Sequence, residues 1–341
     1  MSRRALGALL AGLLAAGVAA IPAVAGAGEG VAPAPSPGCD GTDPVAVGEE
    51  RITTTSGGVE RWYFRHVPPA HDGDEPLPVV IDLHGYLEGA DVHKVHSDLG
   101  AYGDEQGFVT ITPQGTGDPV RWDATVDSAD MEFVGDLLDE IGATLCVDER
   151  RIFVTGLSNG AFMTSAIACA YADRIAAVAP VAGIRVIDDC DPDRPVPVVA
   201  FHGTEDGFVS FDGGLGDDAA DLPAPDGSGR TVGDLPEARD AAGGPSVPEI
   251  TAAWAERDDC RAKPRRRAVA DDVTRVRYRC PDGADVVLYR VEGGGHTWPG
   301  SEFSQAIESV TGATTFSISA NEVMWEFFEQ HPLERGADAE D

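Results

Sequence analysis

The chain has 341 residues and sets 25 Lys and Arg against 58 Asp and Glu, a formal net charge of −33. A body of that charge repels phosphate backbones, which argues against nucleic-acid binding. There is no Cys-x-x-Cys pair and no further set of His, Asp or Glu at ligand spacing, so neither a zinc ribbon nor any other metal site is predicted.

Arg3 and Arg4 precede an unbroken run of Ala, Leu, Gly and Val from Ala5 to Ala20, and Pro22-Ala23-Val24-Ala25 offers the small residues of a cleavage site. A membrane-spanning helix needs about 20 apolar residues, and this run is shorter. Residues 1–25 therefore read as a signal peptide, which predicts an extracellular protein with no stable membrane anchor. Residues 26–38, poor in large side chains, read as a flexible leader. The rest is long enough for one large α/β domain, expected over 39–333, followed by an acidic tail at 334–341.

Cys39, Cys146, Cys169, Cys190, Cys260 and Cys280 all follow the predicted cleavage point. An even number in an exported chain predicts three disulfides, with fifteen connectivities open. The expected pairing is Cys260–Cys280, which brackets a hairpin-like segment, then Cys169–Cys190 and Cys39–Cys146. The basic cluster Lys263 to Arg267 falls inside the first of these and reads as a solvated loop.

In chain order, strands are predicted at Pro78–Leu83, Gly107–Thr112, Arg151–Thr155, Ala176–Val181, Val196–Phe201 and Val286–Val291. Helices are predicted between them. Asp130–Leu145 carries Met131, Phe133, Val134, Leu137, Leu138 and Ile141 at helical spacing, and Ala161–Ala172 follows the third strand directly. Ser246 and Ser319 each stand three residues before a Glu, a helix-start pattern. Continuous apolar strands alternating with helices imply a mostly parallel sheet covered on both faces. Asp212–Gly244, rich in Gly, Asp, Pro and Ala, reads as a long mobile insertion, either a lid or an inert surface loop.

The sharpest chemical signal is Gly156-Leu157-Ser158-Asn159-Gly160, a G-x-S-x-G between a predicted strand and a predicted helix. Such a junction makes a tight elbow that lifts the serine hydroxyl above the sheet and aims a helix N-terminus at the substrate. A serine hydroxyl needs a base to become a nucleophile. In hydrolases of this kind the chain order is Ser, acid, His. Asp206, after the strand ending Phe201-His202-Gly203, is the predicted acid, with Glu205 as a rival. His296, in Gly293-Gly294-Gly295-His296, is the predicted base. His202 reads as structural, and His66, His71, His93 and His96 precede Ser158, the wrong order. The oxyanion hole is expected from the backbone N–H groups of Asn159 and Tyr86, with His84 supporting the site and, with Trp122 and Trp298, placed among the substrate-binding residues. Trp298, two residues from His296, and Trp122 are candidate pocket aromatics, although an ordinary partly buried role fits Trp122 equally well.

Together these motifs resemble the secreted polyhydroxybutyrate-depolymerase-type and feruloyl-esterase-type esterases. The resemblance rests on Leu83-His84-Gly85, on Cys146-Val147-Asp148-Glu149-Arg150-Arg151 leading into the elbow, on Val178 to Gly183, on Phe201-His202-Gly203-Thr204, and on Gly293 to Gly300. It covers nearly all of the chain after the signal segment and implies an α/β-hydrolase fold, an acyl-enzyme on Ser158 and ester hydrolysis without a cofactor. The sequence departs from the family at Ala161 and at Tyr86-Leu87-Glu88, both near the expected acyl site. With no appended polymer-binding domain, soluble or oligomeric esters are expected over solid polyester, acted on by a monomer. Acyl transfer to a cell-envelope sugar and a non-catalytic binding role are the alternatives.

Overall fold

The apolar runs become neighbours in one sheet because each carries two buried faces. In a computed structural model, described for residues 31–41, 45–187, 190–236, 244–281 and 283–334, ten strands lie in the order β1-β2-β4-β3-β5-β6-β7-β10-β9-β8. They are β1 (Gly48–Ser56), β2 (Val59–Val67), β3 (Leu77–Leu83), β4 (Val109–Pro113), β5 (Val147–Leu157), β6 (Ala177–Val181), β7 (Val198–Gly203), β8 (Arg265–Ala268), β9 (Val273–Arg277) and β10 (Val286–Val291). The central strands, from β4 through β10 in that order, pair in parallel. Antiparallel hairpins flank them, β1–β2 on one edge and β8–β9 on the other. The residues from Pro33 onward cluster as one compact unit.

The helices are α1 (Ala90–Ser97), α2 (Leu99–Gln106), α3 (Ala129–Thr144), α4 (Asn159–Ala170), α5 (Val247–Arg257), α6 (Glu302–Ala306), α7 (Glu308–Thr311) and α8 (Ala320–Glu329). Alternate strand residues feed two cores, as a period of two requires. Ile81, Val154, Val178 and Val198 join the apolar stripe of α3 and Trp254 of α5. Val80, Phe153, Ala179 and Phe201 join Met324, Trp325 and Phe328 of α8. Phe153 and Phe328 stack with centroids 4.5 Å apart. Ser246 caps α5 in a reciprocal box with Glu249, and the Ser319 hydroxyl accepts the Glu322 N–H at the start of α8.

Three expectations need correction. The sheet has four strands that the apolar runs do not announce: β1, β2, β8 and β9. They lie at the edges, where one or both faces meet solvent and polar residues are tolerated. Arg265–Arg267, expected in a loop, belong to the edge strand β8, all of whose residues are exposed. And α4 begins at Asn159, immediately after Ser158. The expected signal peptide and most of the acidic tail lie outside the described residues.

Three disulfides link Cys39–Cys146, Cys169–Cys190 and Cys260–Cys280, the expected pairing. The first spans 107 residues and ties the leader segment to the start of β5. Closing a loop that long removes much of the unfolded chain's freedom. Replacing Cys39 and Cys146 together by Ser is expected to lower stability by about 2–5 kcal/mol, read from the urea midpoint.

Candidate active site

The strand β5 turns into α4 through Ser158, whose backbone sits at φ 58°, ψ −115°. A non-glycine residue there is strained, by about 1–3 kcal/mol. The turn is forced by close packing: a Cβ on Gly160 would lie 2.1 Å from the Leu83 carbonyl oxygen, and one on Gly156 2.7 Å from that same atom. The Ser158 N–H is held by the Val181 carbonyl. A serine at a helix start usually caps the first turn with its hydroxyl, but Ser158 makes no such bond. Its side chain instead lines a cavity of ≈ 950 Å³ at the C-terminal ends of the parallel strands. His296 lines the same cavity.

His296 hydrogen-bonds through Nδ1 to Asp206 Oδ2 at 2.8 Å. The other carboxylate oxygen accepts the Phe208 and Val209 N–H groups, at 2.9 Å each. Burial alone would raise the Asp206 pKa, but the charge and hydrogen bond of His296, with help from His202 and Val209 N–H, hold it below the usual carboxylate range. A carboxylate so fixed makes Nδ1 the protonated nitrogen and leaves Nε2 as a base. Glu205, the rival acid, is exposed, and the carboxylate that bonds His296 is that of Asp206. His202 is buried, with Nε2 2.8 Å from the Val209 carbonyl and 3.3 Å from Asp206, so it braces the acid's loop from below.

Tyr86 and Asn159 both line the cavity. A Cβ on Gly85 would be 3.7 Å from the Ser158 Cβ, so the His84-Gly85-Tyr86 backbone passes beside the serine. The Asn159 side chain clamps the Trp122 backbone from both sides, accepting its N–H and donating to its carbonyl. That clamp holds the Trp122 indole in the cavity wall, its Nε1–H donating to the His84 carbonyl at 3.1 Å.

Two residues expected to touch substrate do not line the cavity. Trp298 is 1% exposed, with its Nε1–H on Asn321 Oδ1 and its ring packed in the α8 core. The extended chain after His296 turns this side chain inward. His84 is fully buried beneath the site. Burial pushes its pKa down to about 4, so the ring is neutral, donating from Nδ1 to the Gly85 carbonyl and accepting the Gly115 N–H at Nε2. It shapes the loop from below.

A second buried cluster, not foreseen from the sequence, supports the same loop. The Glu88 carboxylate accepts the Gly85 N–H at 2.7 Å, His96 Nδ1 at 2.7 Å and His93 Nδ1 at 3.0 Å. His93 Nε2 reaches Asp82 at 2.7 Å, and His96 Nε2 reaches Ser304, whose hydroxyl oxygen accepts the Trp298 N–H. The network thus joins the Gly85 loop to the segment that carries His296. Ligand atoms of Glu88, His93 and His96 lie within 4.8 Å of one another, close enough to hold a metal ion. Protons already close these contacts, however. Burial alone would lower the His93 pKa, but the carboxylates of Asp82 and Glu88 raise it to about 10. Glu88 stays well below its usual range because the imidazoles of His93 and His96 outweigh burial. The sequence signal was the H-x-x-H spacing of His93 and His96 on one helix turn, beside Asp82 at a strand end.

With this geometry in hand, the chain can be compared with known proteins. No family model matches it. The esterase NocK of Nocardia uniformis subsp. tsuyamanensis is 30% identical over 346 residues, covering 93% of this chain and 96% of that protein. The chain belongs to the feruloyl-esterase-type esterases. This esterase is also 26% identical over 239 residues to feruloyl esterase B of Piromyces equi, covering 67% of this chain and 41% of that protein. The solved acetyl xylan esterase from Aspergillus awamori superposes with a TM-score of 0.52 at 15% identity, over 76% of this chain and 97% of that one, which shows the shared fold. The enzyme is a carboxylic ester hydrolase.

The charged cluster sets a pH dependence of stability. His93, raised from 6.5 to about 10, contributes stability that is full below pH 6.5 and lost as pH rises through 10. Glu88, lowered, contributes stability that is full above pH 4.5 and lost on acidification. Between pH 6.5 and 10 the esterase should therefore lose stability with a slope that His93→Gln lacks, as measured by denaturant midpoints across that range.

Proposed function

We propose that the enzyme is a secreted serine esterase that removes acyl groups, acetyl or feruloyl, from plant polysaccharide or its oligomers. The observation that carries this reading is the convergence of Ser158 and His296 on one cavity, with Asp206 locked onto His296 Nδ1. In this mechanism His296 Nε2 takes the Ser158 proton as Oγ attacks the ester carbonyl. The tetrahedral oxyanion is held by the N–H groups of Tyr86 and Asn159, at the start of α4 where the helix dipole favours negative charge. Collapse gives the acyl-enzyme while His296 returns the proton to the leaving alcohol, and water then repeats the sequence to release the acid. No step needs a cofactor.

The acyl class is supported by the cavity wall. Trp122 and Phe162 line it, Arg185 lies over the Phe162 ring at 3.6 Å, and Phe208 sits 5.1 Å from the His296 ring. Aromatic walls suit an aromatic acid or the face of a sugar. The Asp212–Gly244 insertion contributes Leu215, Ala219, Leu222, Val232 and Leu235 to the same cavity, and the Tyr86 hydroxyl donates to the Pro223 carbonyl at 2.7 Å. We assign it the role of a roof over the substrate. The relatives point the same way, with feruloyl esterases and a bifunctional acetylxylan esterase/xylanase of Neocallimastix patriciarum among them. Three disulfides suit an oxidising, extracellular setting.

The test is a panel of p-nitrophenyl acetate and butyrate, methyl ferulate, acetylated xylan and 3-hydroxybutyrate oligomers. Ser158→Ala should lower kcat by at least about 10⁴-fold on every ester turned over, and Asp206→Asn by a similar factor, whereas Glu205→Gln leaves it nearly unchanged. Methyl ferulate or acetylated xylan should be preferred over the hydroxybutyrate oligomers. Retained turnover in Ser158→Ala would refute the mechanism, and a preference for the oligomers would refute the substrate class.

A further inference from the structure

The edge hairpin β8–β9 breaks the charge rule of the rest of the molecule. Between Arg261 and Arg279 lie eight of the chain's 25 cations, against two acids, in a protein of net charge −33. Seven of the eight are arginine, so a general need for solubility does not explain the choice. The strand register sets Arg265 directly opposite Arg277 and Arg267 directly opposite Arg275. Like charges facing each other across an antiparallel pair are destabilising. The structure does little to relieve them: Arg277 alone has a carboxylate, Asp285, which it grips with contacts of 2.8 and 3.0 Å. The guanidinium groups of Arg265, Arg267, Arg275 and Arg279 have no partner among the described residues. Together they line a groove of ≈ 590 Å³ on the sheet edge.

Charges on an edge strand are one way to block edge-to-edge pairing. That accounts for arginine on β8. It does not account for Arg275 and Arg277 on β9, which is paired on both sides. A local rule broken without visible compensation points to a function. We propose that this arginine face binds the carboxylates of an acidic, uronate-bearing polysaccharide. Alternate residues along a strand are about 6.6 Å apart and cross-strand neighbours about 5 Å apart, so Arg265, Arg267, Arg275 and Arg277 extend their forked donors from a regular backbone grid. The guanidinium fork matches a carboxylate in a way that a lysine ammonium does not. The Cys260–Cys280 disulfide closes the ends of the hairpin segment and holds the grid in place. A single-stranded nucleic acid fits less well, since the aromatic among the groove residues, Tyr278, is 6% exposed and offers no stacking surface for bases, and a duplex is distinguished by the DNA gel. The choice of a polysaccharide rests on the proposed substrate class. An ester hydrolase acting on a polymer gains effective concentration from a second hold on that polymer. The hairpin is joined to β10, the strand that leads to His296, and Arg275 pairs with Tyr289, about 7 Å along the strand from its site end at Val291.

The experiment is affinity electrophoresis of the full chain through gels containing polygalacturonate, neutral dextran or duplex DNA, with Arg265→Ala/Arg267→Ala/Arg275→Ala compared at low salt. Polygalacturonate should retard the unaltered protein, dextran should not, and the triple variant should bind at least tenfold more weakly while its melting temperature is equal or higher and its p-nitrophenyl acetate hydrolysis is unchanged. No retardation by polygalacturonate, equal retardation of the variant, or tighter retention by DNA would each overturn the proposal. Because the readout is binding, an absence of esterase activity would bear on the proposed function and not on this face.

Discussion

The backbone of Ser158 is the constraint from which the site follows. Its positive φ is the cost of reversing the chain between β5 and α4 within one residue, where Gly156 and Gly160 let the chain press against the end of β3. The strain of about 1–3 kcal/mol is sustained because both flanking elements are deeply buried, so the surroundings leave the turn no alternative. It has two consequences. The hydroxyl is freed from capping its own helix, and Ser158 and Asn159, at the start of α4, both line the cavity. The same packing brings the Gly85 backbone beside the serine.

Beneath that turn lies a layer of carboxylates and imidazoles in which position decides protonation. Asp206 and His296 form a partly accessible pair at the cavity. Asp82, His93 and Glu88 form a set, buried except for the edge of Glu88 that meets the cavity, in which a charged imidazole sits between two carboxylates. Removing one member of such a set strands a buried charge and is far more damaging than the set is stabilising. Its use is geometric. Glu88 holds the Gly85 peptide, and through His96 and Ser304 the same carboxylate is tied to the chain that bears His296. The two halves of the site are therefore set against each other by a network that is largely buried and reaches the cavity only at Glu88 and His96.

The central sheet was legible because its six parallel strands are buried on both faces and read as unbroken apolar runs. The edge strands were not, since β1 alternates exposed and half-buried positions and β8 is almost entirely arginine. The candidates Ser158, Asp206 and His296 were legible because each follows a strand end in the expected order, and the structure places Ser158 and His296 on one cavity with Asp206 bonded to His296. The choice between Asp206 and Glu205 was not, because adjacent residues at a turn point in opposite directions and the fold alone decides which meets the histidine. Trp298 and His84 fail as pocket residues for a similar reason: nearness along the chain to a site residue does not fix the side on which a side chain emerges. Glu88 and His93 were missed because the H-x-x-H spacing of His93 and His96 shows only the helical part of the cluster, while Asp82 comes from a strand end and Glu88 from a loop. The insertion's part in the cavity was hidden by its composition, which reads as loop wherever it lies.

The measurement that bears most directly on the account is a crystal structure of the enzyme after reaction with a small alkyl fluorophosphonate. The account predicts phosphorus bonded to Ser158 Oγ, one phosphoryl oxygen within about 3 Å of the Tyr86 and Asn159 backbone nitrogens, and His296 Nε2 beside the Ser158 oxygen. Phosphorus on another residue, or an oxygen turned away from those two nitrogens, would contradict it.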